Sequence, residues 1–134
     1  MAGEENKALL QRAVERWNQR DLNGYLELYD PNCTIYGPPG VSPGIEAIRQ
    51  FYSGFWSAFH NSRLEIEDAL AEDDKVAARF SVSGAHKGEF QGIPPTDKQV
   101  TIGGITILRF RDGKCIERWN QADFLGLVQQ LTAS

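Results

Sequence analysis

Hydrophobic and polar positions change their period several times along this chain, and each change marks an element. Leu10, Ala13, Val14 and Trp17 recur at i, i+3, i+4 and i+7, the spacing of one helical face, and Glu4 and Glu5 suit the positive end of that helix. Asp21 is a good N-cap for a second, short helix, in which Leu22, Tyr25, Leu26 and Tyr29 repeat the pattern until Asp30-Pro31 stops it. Cys33 to Tyr36 reads as a brief strand, closed by Gly37-Pro38-Pro39-Gly40. Ile48, Phe51, Tyr52, Phe55 and Phe59 then form the aromatic face of a third helix, from about Pro43 to His60.

Strand alternation takes over from Leu64. Asp73-Asp74 predicts a turn, and Val76, Ala78, Phe80, Val82, Gly84 and His86 share one face of the next strand. The stretch from Ser83 to Val100 then spends glycines and prolines just after a histidine, which predicts a loop folded over the mouth of a pocket with His86 at its rim. Val100 to Arg111 reads as a strand apolar on both faces, Asp112-Gly113 as a hairpin turn, and Lys114 to about Ala122 as the partner strand. In that partner Glu117, Trp119, Gln121 and Asp123 take one parity, while Arg118, Asn120 and Ala122 take the other. Phe124, Leu127, Val128 and Leu131 predict a short closing helix. Helices first and antiparallel strands afterwards predict a single α+β domain over residues 1–134. Its expected form is a cone-shaped α+β barrel, with N-terminal helices against a strongly curved, mostly antiparallel sheet.

Composition narrows the partners. With 14 Lys and Arg against 18 Asp and Glu the net charge is -4, so no basic footprint exists for nucleic acid or an anionic membrane. No run approaches the roughly 20 apolar residues of a membrane span, and the acidic start does not read as a secretion signal. Cys33 and Cys115 stand alone in apolar runs, which argues for reduced core thiols in a cytoplasmic protein and against a disulfide framework or a zinc site. The arginines Arg79, Arg109, Arg111 and Arg118 alternate with apolar residues on strands. They read as a solvated or subunit-facing sheet surface, with Glu65, Glu67 and Glu117 as cross-strand partners. Apolar residues of opposite parity, Ile105 and Ile107, ask for a second cover, which a second subunit would supply.

Two linked motifs carry a resemblance. Gly84-x-His86-x-Gly88-x-Phe90-x-Gly92-x-x-Pro95-Thr96-x-Lys98, followed by Arg109-Phe110-x-x-Gly113-Lys114-x-x-Glu117-x-Trp119-x-x-x-Asp123, resembles the SnoaL-like polyketide cyclases. These belong to the superfamily named for nuclear transport factor two. One position departs: the usual Pro-Thr-Gly-Lys turn reads Pro95-Thr96-Asp97-Lys98, and aspartate tolerates a left-handed turn better than most residues. The resemblance implies a homodimer or homotetramer without cofactor or metal, closing the ring of a polyketide ester by intramolecular aldol chemistry on a small hydrophobic carbonyl ligand. It assigns acid/base catalysis to Asp123 with His86 assisting.

Each assignment has a structural alternative. Carbon-acid chemistry needs a base beside the α-carbon and a donor for the oxyanion, in a site dry enough to raise a carboxylate pKa. Asp123 would serve if its parity with Trp119 aims it into the cone, but an aspartate just before Phe124 is also an N-cap for the last helix. His86 would polarise a carbonyl, or else be a structural histidine satisfied by one hydrogen bond. His60 belongs at the end of the third helix, interacting with its C-terminus. Trp119, Tyr36, Phe51 and Phe55 are the expected pocket walls, and Gln121 a polar contact. The alternative functions are a ligand-binding protein without catalysis, and an isomerase, dehydratase or epoxide hydrolase in the same pocket.

Overall fold

The computed structural model describes residues 2–37, 41 and 43–133. Four helices, α1 (Ala2–Asn18), α2 (Leu22–Leu26), α3 (Ile45–Ala58) and α4 (Phe124–Thr132), pack on five strands, β1 (Tyr29–Tyr36), β2 (Phe59–Glu72), β3 (Lys75–His86), β4 (Gln99–Arg111) and β5 (Lys114–Ala122). The sheet order is β1-β5-β4-β3-β2, with β1 parallel to β5 and every other pair antiparallel. The sheet is curved, and bulges interrupt its register in β2 after His60 and after Ile66 and in β5 after Cys115. Such insertions bend a strand and tighten its twist, so the sheet wraps its inner face around the helices.

The alternation on β3 is realised as expected, with Val76, Ala78, Phe80, Val82, Gly84 and His86 all buried. The turns at Asp73-Asp74 and Asp112-Gly113 join antiparallel pairs, and Asp97 takes a left-handed φ of 63° where the family turn carries glycine. Helix α1 is tied to β2 through Asn18, which donates to Leu64 O at 2.9 Å and accepts from Leu64 N at 2.8 Å.

Three boundaries differ from expectation. The second helix stops at Leu26, so Tyr29 opens β1 and Asp30-Pro31 lie inside a strand. β1 is an edge strand with a register irregularity between Tyr29 and Thr34, and an edge tolerates the missing N–H of Pro31. Helix α3 starts at Ile45 and ends at Ala58, because Phe59 is already extended and pairs with His86. His60 is therefore an exposed residue of β2, paired with Ala85, and not a helix-end residue. Of the expected break at residues 37–40, Gly37 has a φ of 116°, and Pro38, Pro39 and Gly40 lie outside the described residues.

Candidate functional site

Aromatic side chains of three helices meet the inner face of the sheet around a cavity of about 70 Å³. Its walls are Trp17 from α1, Tyr25 from α2, and Phe51, Tyr52 and Phe55 from α3. Facing them, Phe80 and Val82 come from β3, Ile102 from β4 and Phe124 from α4. Gly104 keeps room for this arrangement, since a side chain there would meet the Phe80 ring at 2.6 Å. The cavity is small for a multi-ring molecule, and Phe51, Phe55 and Phe124 among its walls are half-buried.

One end of this apolar chamber is polar, and β5 supplies it. Arg118 and Asn120 line the cavity, although Arg118 is only 5% exposed. The bulge explains how an arginine comes to lie inside. Phe110 pairs with Cys115 and Arg109 with Glu117, so Ile116 is an extra residue that resets the strand's parity. Cys115 and Arg118 are thereby both buried, three positions apart.

Arg118 Nε donates to Thr106 Oγ1 at 2.9 Å and to Asn120 Oδ1 at 3.1 Å. Its Nη1 donates to the hydroxyls of Tyr25 at 3.1 Å and Tyr29 at 2.6 Å. The hydroxyls continue as a chain, Tyr25 to Tyr29 at 2.7 Å and Tyr29 to Tyr52 at 2.9 Å. Burial pushes the pKa of Tyr25 and of Tyr29 far above the ordinary tyrosine value, so both remain neutral phenols. Burial alone would lower the guanidinium's pKa, but the oxygens of Tyr29, Tyr52 and Tyr25 hold it above its usual value. Arg118 is therefore a permanent cation in an apolar chamber. No carboxylate and no histidine is found among the described lining residues.

The residues expected to act in the pocket, Asp123 and His86, have other surroundings. Asp123 is exposed and caps α4, its Oδ1 accepting from Gly126 N at 2.8 Å. Asp21 does the same for α2, accepting from Gly24 N at 2.9 Å, so the two Asp-x-x-Gly segments share one capping geometry. His86 is fully buried, and its Nδ1 accepts the Thr96 N–H at 3.2 Å and lies 3.0 Å from Thr96 Oγ1. That assignment puts the ring hydrogen on Nε2, which has no partner among the described residues. Its backbone clasps the same turn, with His86 N to Lys98 O at 2.8 Å and Asp97 N to His86 O at 2.9 Å. The His86 ring stacks on Phe59 at 5.4 Å, and Phe59 packs on the wall residue Phe55 at 4.9 Å, so one aromatic ring separates the histidine from the cavity wall.

Neither His86 nor Asp123 lines the cavity. The glycine-rich loop is not its lip either, because Lys87 N and Gly88 N both donate to Ala58 O and hold the loop on the C-terminal end of α3. Phe51 and Phe55 line the chamber. Trp119 and Tyr36 instead stack on each other at 5.5 Å on the opposite face of the sheet, where Tyr36 is 43% exposed, and Gln121 is exposed beside them. Parity had separated the two sets of β5 residues correctly, but the bulge turns the Arg118 set inward and the Trp119 set outward. Arg79 and Arg109 do lie outside, paired with Glu67 at 2.9 Å and Glu117 at 3.1 Å; Arg118, grouped with them by sequence, does not.

The architecture and the sequence agree with one family. Residues 7–131 match the description SnoaL-like polyketide cyclase. The chain belongs to this family. Among its relatives, the aklanonic acid methyl ester cyclase DnrD of Streptomyces peucetius is 25% identical over 130 residues, covering 92% of this chain and 88% of the relative. The nogalonic acid methyl ester cyclase of Streptomyces nogalater is 29% identical over 94 residues, 69% of each chain. Of solved structures, TsrD from Streptomyces laurentii superimposes with a TM-score of 0.87 at 28% identity, covering 98% of this chain and 97% of that one. AclR from Streptomyces galilaeus, a candidate hydroxylase, gives a TM-score of 0.86 at 33% identity, covering 96% of this chain and 81% of that one.

Within this SnoaL-like frame, no described residues bring three His, Cys, Asp or Glu side chains together as a metal site. No helix among them is long and apolar enough to cross a membrane. Cys33 and Cys115 are free and buried. The neighbouring Cys115 thiol, then burial, raises the Cys33 pKa, and Cys33 is in turn the main cause that lowers Cys115.

Proposed function

We propose that this SnoaL-like protein closes a ring in a hydrophobic, polyketide-like carbonyl compound, and that the reaction takes place in the Arg118 cavity. The observation that carries the reading is a buried guanidinium and a neutral tyrosine chain at the end of an apolar aromatic chamber. Preorganised donors in a dry site stabilise the charge that develops on oxygen in an aldol step. Names of relatives at 25% and 29% identity support an ester as the substrate.

The chemistry is balanced without a protein carboxylate. A carbon between two carbonyls gives up its proton to water, and the resulting enolate is held by Arg118. Its carbon attacks a ketone of the same molecule, forming the new C–C bond. The ketone oxygen becomes an alkoxide and takes a proton from a tyrosine hydroxyl, which recovers it from solvent. Product and substrate are isomers. In this reading Asp123 and His86 keep the structural duties described above: Asp123 orients α4, which carries Phe124, and His86 fixes the turn at Thr96.

The same reading makes the protein a cytoplasmic homodimer. Its support is the outer sheet face, where Ile105 is 59% exposed and Ile107 39% exposed beside the Tyr36–Trp119 stack; its two free thiols suit a reducing compartment.

The test is incubation with the methyl esters for which the relatives are named, following conversion of the open ester to a cyclic product of unchanged mass. Cyclisation by the wild type and its loss in Arg118→Met support the proposal. Tight ligand binding without conversion would replace it with the ligand-binding reading, and cyclisation that survives Arg118→Met but not Asp123→Asn would return the chemistry to Asp123.

A further inference from the structure

Arg118 has spent only part of its hydrogen-bonding capacity. Nε and Nη1 are engaged, whereas Nη2 has no hydrogen-bond partner among the described residues and is not one of the sealed, unsatisfied atoms of the interior. Asn120 Oδ1 accepts from Arg118, which leaves the amide N–H groups of Asn120 for something else. The tyrosine chain adds one more donor. Three hydroxyls make two hydroxyl–hydroxyl bonds, each bond uses one hydrogen, and one hydrogen remains.

Which hydroxyl keeps it follows from crowding. Tyr25 and Tyr29 already accept from Arg118, so the order Tyr25 to Tyr29 to Tyr52 spreads the incoming hydrogens more evenly over the three oxygens than the reverse order, which crowds Tyr25 and Tyr29 alike, and it leaves Tyr52 O–H unspent. Tyr52, Asn120 and Arg118 all line the cavity. The polar end thus offers unspent donors and no anionic acceptor. Around the guanidinium stand Tyr25 from α2, Tyr29 from β1, Tyr52 from α3 and Cys115 from β5, whose S–H is given to Glu117 O at 3.2 Å. None supplies a fixed negative charge.

A cation taken out of water is costly unless something pairs with it. We infer that the missing partner is the ligand itself: the cavity takes its ligand as an anion, an enolate or phenolate whose charged oxygen sits against Arg118 Nη2 and the hydroxyl of Tyr52. This inference rests on the reading of the Arg118 cavity as the binding site and sharpens it to a substrate class. The substrate is a compound acidic enough to lose its proton to water, such as a 1,3-dicarbonyl, because the guanidinium lowers the acidity barrier that a carboxylate base would otherwise overcome. A simple ketone or a fully alkylated ester without an acidic C–H or O–H is excluded.

The test uses 4-nitrophenol, whose phenolate is coloured, and 4-nitroanisole, its neutral counterpart of similar shape. The full chain is titrated with each on both sides of the phenol's own pKa, and bound phenolate is read from its absorption. An opposite charge at contact favours the ionised form by about one to three pKa units, so the wild type is expected to bind phenolate about tenfold or more tighter than nitroanisole. Tyr52→Phe should reduce that preference several-fold, and Arg118→Met should abolish it while still admitting nitroanisole. Circular dichroism checks that each variant folds; should Arg118→Met fail to fold, Arg118→Lys, which keeps the charge but not the fork, must weaken the preference without removing it.

Equal binding of the two probes by the wild type, no binding of phenolate, or a preference that Tyr52→Phe and the Arg118 variants leave unchanged overturns the inference. The two proposals fail separately. Ring closure without phenolate preference removes the anion inference alone, and phenolate preference without ring closure removes the cyclase reading alone.

Discussion

Arg118 and Trp119 are neighbours in sequence and opposites in environment. Arg118, the most polar side chain of β5, is buried among tyrosines; Trp119, its largest apolar one, stacks on a half-exposed Tyr36 on the outside. The same inversion runs across the sheet: the inner face holds a charge, and the outer face displays Ile105 and Ile107 between arginine–glutamate pairs. Hydrophobicity therefore does not distinguish inside from outside on this strand. In the proposed reading what distinguishes them is function: a charge kept where water cannot screen it acts on a ligand, and an apolar strip left in water takes a partner surface.

The largest effect that would break this contrast is expected inside. Arg118→Met should remove phenolate preference, about tenfold or more, while changing stability by less than about 2 kcal/mol in either direction, because the cost of burying the charge disappears together with its bonds. Trp119→Ala, one residue away, should leave phenolate preference intact. Equal loss in both variants would show that the preference depends on the integrity of β5 and not on the guanidinium.

Next in size is the outer face. Ile105→Glu combined with Ile107→Glu should convert a dimer to a monomer in sedimentation experiments, with the inner cavity still binding nitroanisole. A wild-type protein that sediments as a monomer would leave the outer strip unexplained by a second copy.

The two capping aspartates provide a smaller and more symmetrical comparison. Asp21→Ala and Asp123→Ala should each cost about 1 kcal/mol in denaturant unfolding, and Asp123→Asn should cost much less, since asparagine also caps. Turnover per folded molecule should survive Asp123→Asn. A large fall in turnover with unchanged stability would make Asp123 an acid/base after all and would separate it from Asp21.

The smallest effects lie at exposed ion pairs. A hydrogen bond from Arg109 lowers the pKa of Asp74, and one from Lys87 lowers that of Asp97. Carboxylates with depressed folded-state values stabilise the fold above their unfolded value near 3.9 and lose that contribution as pH falls through the folded one. Asp74→Asn and Asp97→Asn should therefore cost a little stability at neutral pH and nothing in acid, which flattens the acid limb of the stability profile slightly. An Asp97→Asn effect of the same size at neutral and acid pH would mean that the left-handed backbone there, φ 63°, matters more than its charge.

Local periodicity was enough to place α1, α3, the β3 alternation, both hairpin turns and the Asp21 cap, because each depends on neighbours a few residues away. Phe51 and Phe55 were recognisable as wall candidates for the same reason: they belong to one aromatic helical face. The Asp123 cap was equally local, and its Asp-x-x-Gly spacing repeats that of Asp21. The family was legible from the His86 and Trp119 motifs, whereas the position of His86, Trp119 and Asp123 outside the Arg118 cavity was not.

Arg118 shows where the sequence stops informing. Its position inside the cone depends on the extra residue Ile116, and no periodicity in Lys114 to Ala122 announces a bulge that exists only in pairing with β4. Its value depends further on Tyr25, Tyr29 and Tyr52, which arrive from α2, β1 and α3. The chain alone determined which elements form and which residues share a face; the tertiary structure decided which face looks inward, because facing is settled by strand register and closure around the helices, a property of several segments at once.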